Sequence, residues 1–264
     1  MRAAARRFRA ACWVVIVIAS PAAAEDSERI QSDRPSVSAS TYTVQPGAVQ
    51  IESGVAYSHT SVGGSPAERQ FSLDVTLRTG LTEHLEIRLD GEPVVVTWGS
   101  RDDTGWGDLS IQAKHRFYDG KEGRWWPSLG VLPFIKFPTA HAPHGTSVPD
   151  FGLIGLASFT LPWGFGLDTN LGVAALAQRP RDYLGQGVAS AALDHDIGEW
   201  WSVYGEVFFA SASERGGRGS VGFDAGVEFF VTRTLVVDVA AQTSLAGPGP
   251  DYSIRAGLSV RFGR

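Results

Sequence analysis

The chain has 264 residues, 43% of them hydrophobic and 19% charged, and its 23 Lys and Arg against 28 Asp and Glu give a formal charge of −5. Such an acidic balance argues against nucleic acid as a partner. The one cysteine, Cys12, has no second thiol to pair with, so stability must come from backbone pairing and packing.

In chain order, Arg2, Arg6, Arg7 and Arg9 form a basic head, Ala10 to Ser20 an apolar run, and Pro21-Ala22-Ala23-Ala24 a small-residue cleavage site. We read residues 1–24 as a secretory signal peptide that carries Cys12 away with it. Its removal takes four arginines and no acid, so 19 basic residues against 28 acidic ones leave −9. Residues 25–47 read as a periplasmic N-terminal segment that could fold inward as a partial plug.

From residue 48 onward the dominant signal is alternation of period two, the mark of strands. It predicts twelve, near 48–58, 70–79, 85–97, 107–118, 127–137, 151–161, 165–177, 186–195, 200–211, 220–231, 235–244 and 251–262. Strands of about nine to eleven residues suit a tilted membrane crossing. Breaks after even strands are short: Gly80 to His84, Asp119 to Arg124, Pro162 to Gly164, Asp196 to Glu199 and Thr232 to Thr234. Breaks after odd strands, such as His59 to Arg69, Pro138 to Asp150 and Arg179 to Gly185, are longer and richer in Gly, Pro and charge. Short turns on one rim and longer loops on the other predict an all-β transmembrane antiparallel up-and-down barrel, with periplasmic turns and extracellular loops.

Tryptophans mark both rims. Trp125, Trp126, Trp163, Trp200 and Trp201 fall beside short turns, while Trp98 and Trp106 flank a longer loop, as expected of interfacial aromatic girdles facing outer-membrane lipid and lipopolysaccharide. In a barrel the apolar face of each strand points to lipid and the charged face to the lumen. The predicted lumen set begins with Glu52, Asp74, Arg78, Glu86, Arg88, Asp90 and Glu92, and continues with Lys114, Arg116, Lys136 and Asp168. Glu206, Asp224, Glu228, Asp238, Arg255 and Arg261 complete it.

Arg255 to Phe262, RAGLSVRF, resembles the last-strand signal read by the barrel-assembly machinery, although Gly263 and Arg264 follow the aromatic. SDRPSVS (32–38), VQPGAVQIESGVAY (44–57), GWGDLSIQAKHRF (105–117), PSLGVLPFIKFPTA (127–140) and the stretch from Thr234 to Phe262 resemble, in order and spacing, an outer-membrane transporter family named for the MetA pathway of phenol degradation. That resemblance implies a barrel engaged in uptake of small-molecule solutes, aromatic or hydrophobic ones among them. One architecture serves many functions, so it speaks more firmly for fold than for substrate.

Chemistry is sparse. His141 and His144 lie near Asp150, but Pro143 and the surrounding composition indicate a loop rather than a metal-binding helix. GRGSVG (217–222) leads from a loop into a strand, the wrong context for a dinucleotide site, and no G-x-S-x-G elbow occurs. No cofactor, metal or catalytic residue is expected. The reading is a passive channel or transporter, with a closed structural or interaction barrel and a lipid-modifying enzyme as the alternatives.

Overall fold

A computed structural model describes residues 28–61, 63, 66–121, 126–179 and 182–263. The expected signal peptide, with Cys12, and Trp125 lie outside the described residues. Strands β1 (Val49–Thr60), β2 (Glu68–Thr82), β3 (Leu85–Trp98), β4 (Asp103–Gly105), β5 (Leu109–Tyr118), β6 (Ser128–Phe137) and β7 (Asp150–Thr160) are followed by a 3-10 turn, Pro162–Gly164. Next come β8 (Phe165–Arg179), β9 (Asp182–Ile197), β10 (Trp201–Ala210), β11 (Ser220–Thr232), β12 (Leu235–Ala246) and β13 (Tyr252–Phe262).

Every long strand pairs antiparallel with its chain neighbours, and β1 pairs with β13 from Val49–Phe262 to His59–Tyr252. The result is a closed twelve-stranded barrel, which leaves no unpaired long edge. The three-residue β4 is an appendage on the far end of β3, paired with Val95 to Thr97.

The barrel is inside out. On β12, Val236, Asp238 and Ala240 are buried while Val237 and Val239 are exposed; on β1, Gln50 and Glu52 are buried while Val49 and Val55 are exposed. A water-soluble sheet would turn its carboxylates outward. An exterior of Val, Leu, Ile and Phe closed on itself suits hydrocarbon, where every backbone group must be paired within the protein.

All twelve predicted strands are present, with three corrections. The loop expected from Arg179 to Gly185 is absent, because β9 begins at Asp182 and its pairing with β8 runs to Arg179–Asp182. The alternation of β3 does not persist to its end: the register slips between Leu73–Val94 and Val75–Gly91. Pro93, which has no amide hydrogen to give, lies in that bulge. Beyond it Val95 faces inward opposite Ser72, and Val94 outward. The third correction is β4, which sequence did not predict.

Candidate functional site

Residues 28–48 precede the first strand and have almost no regular structure of their own. Their backbone polar groups must therefore find partners elsewhere. Ser32 meets Ser259 on β13, Val37 and Ser38 donate to Glu206 on β10, and Ala39 exchanges two bonds with Asn170 on β8. The Thr41 amide donates to Ser158 on β7, and the Val44 amide to Glu86 on β3. One short stretch can reach strands around a ring only from within it.

Both ends of the segment are fastened. The Ile30 amide donates to the Arg233 carbonyl, and its side chain packs with Phe230 and Val236. Arg29 lies over the Phe230 ring and reaches Asp196 at 2.6 Å. At the other end the Gly47 amide donates to Gly80, whose own amide donates to Ala48.

The densest part is a network on β1, β2, β3 and β5. Arg78 forks onto both oxygens of Glu86, each at 3.0 Å, and reaches Glu52 at 2.7 Å. Arg88 donates to Glu86 at 2.6 Å. Asp33 of the segment enters among these side chains: its Oδ2 accepts from Arg88 and, at 2.7 Å, from Lys114, with Arg78 at 3.6 Å. Its Oδ1 accepts from the Ser40 amide and hydroxyl, each at 3.0 Å, so the carboxylate also folds its own loop. Burial alone would raise the Asp33 carboxyl, but Arg88, Lys114 and Arg78 outweigh it and hold it well below its ordinary value of 3.8.

Arg34 makes the second junction. Its guanidinium reaches Asp238 at 3.3 Å and lies over Gly54 and Gly257, which pair with each other across the β1–β13 seam. A Cβ at either glycine would collide with the guanidinium, so the missing side chains form its slot.

The structure places the other predicted lumen residues as follows. Asp224 is buried and pairs with Arg255. Glu228 lies opposite Asp238, and Glu206 opposite Asp224, across neighbouring strands. Asp168 accepts from Ser158 at 2.5 Å, and Arg261 donates to the Glu28 carbonyl. Asp74 accepts from Ser72, and Asp90 from Thr76 at 2.7 Å; these two carboxylates and Glu92 line a cavity of about 230 Å³ with Asp108. Lys136 pairs with Asp150 at 2.6 Å near the long-loop rim. Arg116 is at the opposite rim, bonded to the Glu83 carbonyl and to the exposed Asp119.

Of the tryptophans, Trp126, Trp163, Trp200 and Trp201 are exposed at the short-turn rim, Trp163 at 89%. Trp106 is exposed at the other rim and Trp98 half-buried there. Sequence reasoning missed Asp33, Arg34, Ser38, Ser158 and Asn170. The first three lie in a stretch without periodicity, and the rest look like ordinary polar residues on an alternating strand.

No curated protein matches the chain in sequence. Similar solved structures include an outer membrane channel from Pseudomonas putida F1, with a TM-score of 0.68 and 15% identity over 84% of this chain and 98% of that one. The NanC porin gives a TM-score of 0.52 and 10% identity, covering 80% and 98%. The β domain of the Bordetella autotransporter BrkA gives 0.50 and 13%, also covering 80% and 98%. At these identities the likeness is one of fold. The sequence match is to a family model spanning residues 32–262, from the segment inside the barrel to the last residue of β13. The chain belongs to the family described as "Putative MetA-pathway of phenol degradation".

Proposed function

We propose that this chain is an outer-membrane channel for passive uptake of small molecules, and that residues 28–48 act as a plug narrowing its lumen. One observation carries the reading: a closed barrel with an apolar exterior holds, inside a charged ring, a segment bonded to strands around its circumference. A purely structural barrel would be served as well by apolar filling, because buried ion networks stabilise less than well-packed hydrocarbon of the same volume. Charged groups around a removable segment give a path that can be wetted and made selective.

The family description and the likeness to an outer membrane channel support small solutes, aromatic or hydrophobic ones included, as the substrate class. On this reading β13 is the strand recognised by the assembly machinery, and the two tryptophan rims meet lipid and lipopolysaccharide.

Single-channel recording of the refolded mature protein in a planar bilayer tests the proposal, beside a variant lacking residues 25–47. Low conductance in the first and a several-fold rise in the second is the expected outcome, with charge reversal at Asp224 shifting ion preference. Silence from both, with heat-modifiable mobility confirming a folded barrel, would overturn an ion-conducting channel and favour the closed structural barrel.

A further inference from the structure

We propose that Arg88 and Lys114, backed by Arg78, form a binding site for a small carboxylate solute, and that Asp33 fills it as a ligand carried by the chain itself. In the network, Arg78 is satisfied without Asp33: its guanidinium is shared between Glu86 and Glu52, with the Gln31 and Tyr42 carbonyls beyond. Arg88 spends one nitrogen on Glu86. Its Nη2 is turned to Asp33 Oδ2, where Lys114 also donates. Without that carboxylate, Lys114 retains the Tyr42 carbonyl at 3.0 Å.

Charge gives the same result. Arg78, Arg88 and Lys114 face Asp33, Glu52 and Glu86, a balanced set of three and three. Removing the Asp33 carboxylate alone leaves three positive groups facing two carboxylates in this set. With the segment still in place Lys114 and Arg78 are fully buried and Arg88 nearly so, so the unpaired positive charge favours an anion in the vacated place. The donors are fixed on β3 and β5, adjacent strands paired from Leu85–His115 to Asp90–Ser110. The vacated place is that of a monocarboxylate group, and the wall stays ready for another.

Binding does not depend on the barrel conducting. On the channel reading above, however, a carboxylate solute that displaces Asp33 also releases the plug that narrows its own path.

The decisive experiment empties the site and refills it. Asp33→Ala removes the carboxylate, and the refolded mature protein is followed by hydrogen exchange of residues 28–48, with heat-modifiable mobility confirming the barrel. The expected result is loss of protection in the variant and its recovery on titration with acetate, a probe close in size to the missing group. Acetamide, of the same shape and uncharged, should not restore it. Asp33→Ala combined with Lys114→Met should weaken the acetate effect by about tenfold or more, since a bond to a charged group is lost. Undiminished protection in Asp33→Ala, equal effects of acetate and acetamide, or recovery indifferent to Lys114→Met would each overturn the assignment. Exchange reads binding whether or not current flows, so failure of this site and failure of the channel reading are distinguishable.

Discussion

Glu206→Gln probes how firmly the segment is held. The Glu206 carboxylate accepts from the Val37 amide at 2.7 Å, the Ser38 amide at 2.6 Å and the Ser38 hydroxyl at 2.5 Å. The donors are divided between its two oxygens. An amide has only one oxygen, so glutamine must point its NH₂ at one of these donors. It also removes the charge from the bonds that survive. A bond to a charged group contributes about 1.5–3 kcal/mol and a neutral one about 0.5–1.5. One bond lost and the others weakened therefore come to about 2–4 kcal/mol. At about 1.4 kcal/mol per tenfold, hydrogen exchange of the Val37 and Ser38 amides should accelerate by roughly 30- to 1,000-fold, measured by mass spectrometry on the refolded barrel. The β-strand peptides should remain protected. An acceleration of less than about threefold, in a variant with normal heat-modifiable mobility, would refute the reasoning. Glu206 would then contribute little to holding residues 37 and 38.

Gly54→Ala should expel the Arg34 guanidinium and break its bonds to Asp238, raising exchange in residues 31–36, whereas Gly185→Ala, where a Cβ meets nothing within 4 Å, should leave it unchanged. Asp33 titrates below its unfolded value, so its contribution to holding the segment is complete above about pH 3.8 and is lost as the pH falls through the depressed value. The difference in segment exchange between the wild type and Asp33→Asn should thus stay level from pH 7 to 5; a difference that vanishes near pH 6 would contradict the Asp33 anchor. Trp163, 89% exposed at the short-turn rim, should be quenched more by lipids brominated near the headgroup than by those brominated deep in the chain, and Trp163→Phe should remove that contribution.

The barrel wall was legible because each strand alternates sharply enough to assign a face, and Asp224, Glu228 and Asp238 declared the inner one. What alternation could not show was where it stops. The predicted strand 85–97 runs straight through Pro93, yet that residue accompanies a bulge that exchanges inside and outside for the rest of β3. Gly185 reads as a loop residue, but it lies within β9, where its pairing to Ala175 makes up for its low strand preference. On the wall side of the network, Glu52, Arg78, Glu86, Arg88 and Lys114 were among the candidates that alternation named. For the segment, the expectation of an inward-folding plug named no contact: Asp33 and Ser38 gain meaning only from side chains far away in sequence, and a stretch without periodicity carries no sign of its partners.

The slot for Arg34 straddles the joint between the first and last strands, and that fixes an order of events. Ser32 bonds to Ser259, 227 residues later, and Arg261 reaches back 233 residues to Glu28. Half of the slot is contributed by Gly257, so it does not exist until β13 lies beside β1. The start of the described chain thus waits for its end: a barrel left ajar at that joint has no complete receptacle for residues 28–48. Their burial is the sign that the ring has shut.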